Sequence, residues 1–254
     1  MEQKKSIFVS NAMVLGKRGE KFSLSYEKIT FLDNGCFDIY GDGTLTIDTL
    51  VNQKDSDLCP YEIRVIGNRG EDGCDSMHGE DGGEGKEGIP TEVEIRIGAL
   101  EDSIRVISVG GEGGRGGSGL DGLSGGDGGD AAPMEDGQTD SPGAKGGQGG
   151  DGSPGKGRGG KGGKGGKGPA VKILYGTKAE GAEIQTSLLC SKGGAPGRGG
   201  KGGRGGRGGK NSDGSCAKDG KDGRSCTDGQ PGQAGEKGEI TVGVWETGGI
   251  NHES

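Results

Sequence analysis

Gly159-Gly160-Lys161-Gly162-Gly163-Lys164-Gly165-Gly166-Lys167 is the stretch whose reading decides the fold. Two of every three residues lack a side chain, and the third is a lysine. A register of three matches a helix of three residues per turn, the geometry of polyproline II. Such a helix has three edges. Here two are bare, so neighbouring backbones can approach along them, and the third carries one charged side chain to solvent. Gly202-Gly203-Arg204-Gly205-Gly206-Arg207-Gly208-Gly209 repeats the pattern. Main-chain N–H and C=O groups point outward from such a helix and need partners.

The same period extends over three long tracts, 67–90, 110–169 and 192–239. Glycine supplies 65 of the 254 residues, whereas hydrophobic residues make up 26% and aromatics 4%. Typical chains contain about 7% glycine. One apolar core cannot organise all of this chain, and glycine loses more backbone freedom on folding than any other residue. The register of three therefore implies that the glycines serve packing. Gly-poor breaks at 74–78, 131–142 and 210–218 are the expected turns.

Between the tracts the period changes to two. Glu92-Val93-Glu94-Ile95-Arg96-Ile97 alternates polar and apolar residues, as a half-buried strand does. Ser103 to Val109 starts the same way, and Gly98 to Asp102 reads as a hairpin loop between them. Val171 to Tyr175 and Glu183 to Cys190 read as a second hairpin. Ile240 to Trp245 is a last strand, and the region from Ser6 to Ile66 supplies four or five more. The expected fold is mainly β plus polyglycine II: a small β-sheet body whose three Gly-rich excursions pack as a polyglycine II helix bundle. The expected organisation is an N-terminal β region over 1–66, the bundle with interspersed hairpins over 67–246, and a tail over 247–254. A collagen-like trimer, suggested by Gly229-Gln230-Pro231-Gly232, and a disordered chain are the alternatives. Proline is scarce for a triple helix, with only 8 in the chain.

Stacked polyglycine II helices occur in the glycine-rich adhesins at the tips of the long tail fibres of some T-even-like phages, and in snow-flea antifreeze proteins. The chain resembles both in its Gly-Gly-X triplets and Gly-poor turn segments. Ice-binding faces want small apolar or Thr side chains, whereas the X positions here are mostly charged. The adhesin resemblance implies receptor contact through the segments joining the helices, here 74–78, 131–142 and 211–218.

Charge is sorted by tract. Residues 67–90 hold seven acids and two bases, and 110–142 hold seven acids and one base. Residues 143–168 hold six bases and one acid, and 192–210 hold six bases and no acid. Acidic and basic tracts packed side by side account for this. A basic stripe for a polyanion is the functional reading. At ~3.1 Å rise per residue, Lys161, Lys164 and Lys167 would repeat every ~9 Å. The candidate binding residues are these three, with Arg198, Lys201, Arg204 and Arg207 on the second basic tract and Met77 and His78 in a turn. Arg204-Gly205-Gly206-Arg207 also resembles an RNA-binding RGG box, but no aromatic residue lies among the triplets to stack on bases.

Gly116-Gly117-Ser118-Gly119-Leu120-Asp121-Gly122-Leu123 fits one calcium nonapeptide, though such sites need tandem copies. The cysteines at 36, 59, 74, 190, 216 and 226 form no Cys-x-x-Cys pair. No Gly-Lys-Ser/Thr phosphate loop occurs, and His78 and His252 have no partner spacing. No catalysis, cofactor or metal is expected. The start of the sequence has no continuous apolar run, so no Sec signal or membrane span is expected. That leaves a virion or extracellular location reached by another route, or the cytoplasm. The expected function is adhesion to a receptor or rigid structural support. The partner is a cell-surface glycan, a protein receptor or a polyanion, with nucleic acid disfavoured. The chain is expected to be a monomer or mounted on a larger assembly.

Overall fold

A computed structural model describes residues 5–32, 35–53, 61–76, 82–131 and 147–245. Eleven strands are present: β1 (Lys5–Val9), β2 (Ala12–Leu15), β3 (Lys21–Phe31), β4 (Cys36–Tyr40), β5 (Asp42–Asn52), β6 (Tyr61–Ile66), β7 (Glu92–Leu100), β8 (Ile104–Val109), β9 (Ala170–Lys178), β10 (Ile184–Leu189) and β11 (Glu239–Val244). They form two sheets. One has the order β1-β3-β5-β7-β9-β11 and the other β10-β8-β6-β4-β2. Each strand-to-strand pairing within them is parallel.

The expected fold, a small sheet body with hairpins and polyglycine excursions, is therefore corrected: eleven strands in two parallel sheets make a larger body, and its strands are not joined as hairpins. Glu92–Leu100 and Ile104–Val109 do not pair with each other. β7 pairs with β5 and β9, and β8 pairs with β6 and β10. The same holds for β9 and β10. The chain coils, laying one strand in the first sheet, turning a corner, and laying the next strand in the second sheet. Strand alternation dictates which face is buried but not which strand is the neighbour, so two amphipathic strands joined by a short loop read equally well as a hairpin.

The core lies between the sheets, and its residues stack in rows across successive coils. Leu45, Ile95 and Ile173 form one such row in register, and Phe37, Ile63 and Val106 form another on the opposite sheet. All six are fully buried. Burying an Ile, Leu or Phe side chain contributes about 1.5–3 kcal/mol, so this body holds a substantial apolar core despite the chain's composition.

The early coils close tightly. Gly41 alone joins β4 to β5, at φ 81°, and a Cβ there would lie 2.3 Å from the Glu20 carbonyl oxygen. In the later coils the same return, from the second sheet to the first, is opened into a long excursion of glycine triplets. After β6 the chain runs out over 67–76 and back over 82–90. After β8 it runs out to 131 and back from 147, and after β10 it runs out to 210 and back from 215. The outgoing tracts continue the second sheet and the returning tracts continue the first.

These tracts are held by their own backbones. Gly113, Gly116, Gly119, Gly122, Gly125 and Gly128 on the second outgoing tract donate to the carbonyls of Lys192, Ala195, Arg198, Lys201, Arg204 and Arg207 on the third. Those two tracts run parallel. Between layers the tracts run antiparallel, with Gly160 donating to Gly117 and accepting from Gly197, and Gly163 donating to Gly114 and accepting from Gly194. The period of three in the sequence is the period of these bonds. Each hydrogen bond contributes only about 0.5–1.5 kcal/mol net, so the strength of the assembly comes from their number.

Hydroxyl side chains line the seam where side-chain packing gives way to backbone packing. In the row Ile39, Val65, Ser108 the apolar series ends at a fully buried serine, whose Oγ donates to the Pro169 carbonyl at 2.9 Å. Ser191, also buried, donates to the Gly166 carbonyl at 2.7 Å. No helix among the described residues is long and apolar enough to cross a membrane.

Candidate functional site

The two basic rows fall on opposite faces of the tract assembly. Lys161, Lys164 and Lys167 lie on the second returning tract. The glycines between them face inward: a Cβ on Gly162 would meet the third outgoing tract and one on Gly163 the first returning tract. The lysines are left on the outer surface of the returning layer. Arg198, Lys201, Arg204 and Arg207 lie on the third outgoing tract, and by the same geometry they project from the outer surface of the outgoing layer. All four are exposed. Met77 and His78, and most of the candidate turn over 131–142, lie outside the described residues. In the last candidate turn, Gly214 adopts φ 82° and donates to the Asn211 carbonyl, and Lys210 and Cys216 pair across the bend.

The rows differ in their electrostatic surroundings. Lys164 Nζ lies 3.8 Å from Glu87 Oε1 and 3.3 Å from Glu236 Oε1, so acids on both flanking tracts compensate it, whereas Lys161 and Lys167 form no ion pair within 4.0 Å among the described residues. Arg198, Lys201, Arg204 and Arg207 form no ion pair within 4.0 Å among the described residues. Their carbonyls are engaged by the neighbouring tract while their cationic ends meet no acid among the described residues.

Sequence reasoning missed what the aspartates do. Asp121, Asp127 and Asp130 on the second outgoing tract accept hydrogen bonds from the backbone N–H groups of Lys201, Arg207 and Lys210, at 2.7, 2.7 and 2.8 Å. On the other side of the basic row, Asp228, Asp222 and Asp219 accept from the N–H groups of Gly199, Gly205 and Gly208, and Ser225 Oγ accepts from Gly202. A three-fold tract has donors that no neighbouring tract can reach, and short side chains take them. The charge sorting reflects this division. Asp carboxylates sit at backbone level, occupied by amides, while Arg and Lys extend beyond them. A constant offset of 80 residues links Asp121 to Lys201, Asp127 to Arg207 and Asp130 to Lys210, and that is the signal a sequence reading could have used.

Asp72 shows the same chemistry on the first outgoing tract. The Arg115 backbone N–H, at 2.7 Å, and then the Arg69 guanidinium, at 2.6 Å, hold its carboxyl below the usual aspartate range. The stability it contributes is present above the ordinary aspartate range and fades as pH falls through its lowered value.

These side chains also terminate the assembly. Asp219, Asp222, Ser225 and Asp228 stand in register with Gly149, Gly152, Gly155 and Gly159 of the adjoining tract. Where interior tracts present bare glycine to the next tract, the last one presents a side chain that folds back to cap its partner. The Asp222→Ala variant should lose about 1 kcal/mol of stability, the cost of a lost backbone cap. Asp222→Asn keeps an acceptor oxygen and should stay close to the parent. Denaturant unfolding of the two variants checks this, and equal losses would refute the capping role.

The described cysteines, Cys36, Cys74, Cys190, Cys216 and Cys226, are unpaired. Among known proteins the chain matches no family model, no curated protein and no solved structure.

Proposed function

We propose that this chain is a non-catalytic adhesion protein that holds an anionic polymer, such as a sulfated or phosphorylated glycan, along the row Arg198, Lys201, Arg204 and Arg207. One observation carries the reading: all four of these cations lack an acidic ion-pair partner among the described residues, while in the row on the opposite face Lys164 has two. The four side chains sit three residues apart on a tract whose carbonyls and amides are hydrogen-bonded on both sides. At ~3.1 Å rise per residue they repeat every ~9 Å along a straight line. A rigid row of this kind binds a linear polyanion without spending conformational freedom of its own backbone.

Retention on immobilised heparin tests the reading. The parent chain should be retained at low salt and released as salt rises, because bound cations displace counterions from the polymer. The fourfold variant Arg198→Gln, Lys201→Gln, Arg204→Gln, Arg207→Gln should lose retention. Its backbone bonds are untouched, so its melting temperature should stay near that of the parent. A variant at Lys161, Lys164 and Lys167 should be retained far better than the fourfold variant. Undiminished retention of the fourfold variant would remove the basis for this function.

A further inference from the structure

The last glycine tract is capped by its aspartates, but the two sheets are not capped. The outermost strands are β1 and β11 in the first sheet and β2 and β10 in the second. An outermost strand leaves a row of N–H and C=O groups unpaired along its edge. Inward-facing side chains are open there as well. Val242 stands in register with the fully buried Ile173 and is 46% exposed, and Met13 stands in register with Phe37 and is 36% exposed. β11 carries one charged residue, Glu239, and no proline, so little blunts its edge.

The two ends of the coil have the shapes of two halves of a lap joint. β11 covers Ala170 to Tyr175 of β9 and leaves Gly176 to Lys178 without a strand partner on that side among the described residues. β1 covers β3 from Tyr26 to Phe31 and leaves Lys21 to Ser25 without one. Followed through β9, β7 and β5, the register sets Glu239 to Gly243 at the level of Lys21 to Ser25. β11 of one copy therefore fits beside the open part of β3 in the next, whose β1 continues the line along β9. In the second sheet Gln185 to Leu188 of β10 share a level with Ala12 to Leu15 of β2.

The side chains brought together at that joint suit one another. On the outer face Glu239 would meet Lys21, and neither has an ion pair within 4.0 Å among the described residues. On the inner face Ile240 would meet Phe22, and Val242 would meet Leu24. In the second sheet Thr186 would meet Met13, and Leu188 would meet Leu15. The glycine tracts stay clear of the joint, because the first two returns of a copy, 16–20 and Gly41, are short. We propose that a second copy of this chain docks head to tail, its β3 beside β11 and its β2 beside β10. Opposite ends meet, so the contact is heterologous and repeats into an open fibre. Each added copy would bring another row Arg198, Lys201, Arg204 and Arg207, and repeated rows multiply attachment to a polymer. The joint itself does not depend on that row.

Sedimentation of the full chain from about 1 μM to about 1 mM tests the joint. The mean mass should rise with concentration and pass beyond a dimer. Lys21→Glu makes both ends acidic, and Glu239→Lys makes both ends basic. Each variant alone sets like charges at every joint and should self-associate about tenfold or more weakly. Mixed in equal amounts, the two variants place opposite charges at every joint between unlike copies, and growth should return. Both side chains are exposed, so both variants should melt with the parent. A parent that stays monomeric overturns the proposal, as does a mass that levels off at a dimer. A mixture no more associated than its separate variants overturns it too. None of these outcomes bears on the basic row, whose test uses other residues and another ligand.

Discussion

Replacing Gly116 with alanine is expected to unfold a large part of the molecule, while the same change at Gly126 is expected to be harmless. The two glycines belong to the same outgoing tract. A Cβ on Gly116 would lie 2.0 Å from the Gly160 carbonyl oxygen and 2.8 Å from the Gly197 amide nitrogen. Both are backbone atoms of adjoining tracts, which are themselves locked by further hydrogen bonds, so neither can move alone. The methyl group must push two tracts apart and break bonds on each side. Overpacking a core costs about 1–3 kcal/mol, and each hydrogen bond lost adds about 1 kcal/mol. A total near 4 kcal/mol is a large part of the ~5–15 kcal/mol that usually separates folded from unfolded protein. Gly126 lies beyond the end of the shorter first excursion, and a Cβ there would meet nothing within 4 Å. Its φ is not positive, so alanine fits and should stabilise by about 0.4–1 kcal/mol through the unfolded state. Thermal unfolding of the two variants makes the comparison. Equal stability would mean that the tracts are not packed backbone to backbone.

The second large effect belongs to the sheet body. Phe37 is fully buried and meets Phe31 edge to face at a centroid distance of 5.0 Å. It stands in register between Met13 and Ile63, so it bridges successive coils as well as the two rings. Phe37→Ala should cost about 3–5 kcal/mol, and Phe37→Leu less than about 1.5 kcal/mol. Measured by denaturant midpoint, Phe37→Ala should lower the transition of the tracts together with that of the sheets. The excursions begin and end on strands, and the seam at Ser108 and Ser191 ties one layer to the other. Separate transitions would show that body and tracts fold independently.

The candidate site divides in the same manner as the fold. The even spacing of Arg198, Lys201, Arg204 and Arg207 was plain from the sequence, because a period of three places them on one edge. The compensation of Lys164 in the other basic row was not, since Glu87 and Glu236 reach it from tracts distant in the chain. Asp121, Asp127 and Asp130 read as solvated repeat positions, yet each takes a backbone amide 80 residues away. Trp245 stood at the end of a last strand with no visible role, and only the stacking of β7, β9 and β11 brings it over Arg96.

By itself, the sequence determined the local periods. Triplets require glycine wherever a neighbouring backbone approaches, and alternation in Glu92 to Ile97 turns Val93, Ile95 and Ile97 inward, where all three are buried. The tertiary structure alone decided who neighbours whom. A strand's period sets its two faces and leaves its edges unspecified, because every strand offers the same N–H and C=O groups along them. Parallel partners such as Thr44, Glu94 and Lys172 are joined through whole coils and glycine excursions. Their pairing follows from burying both sheets' apolar faces against each other at once, a condition that no local stretch of residues expresses.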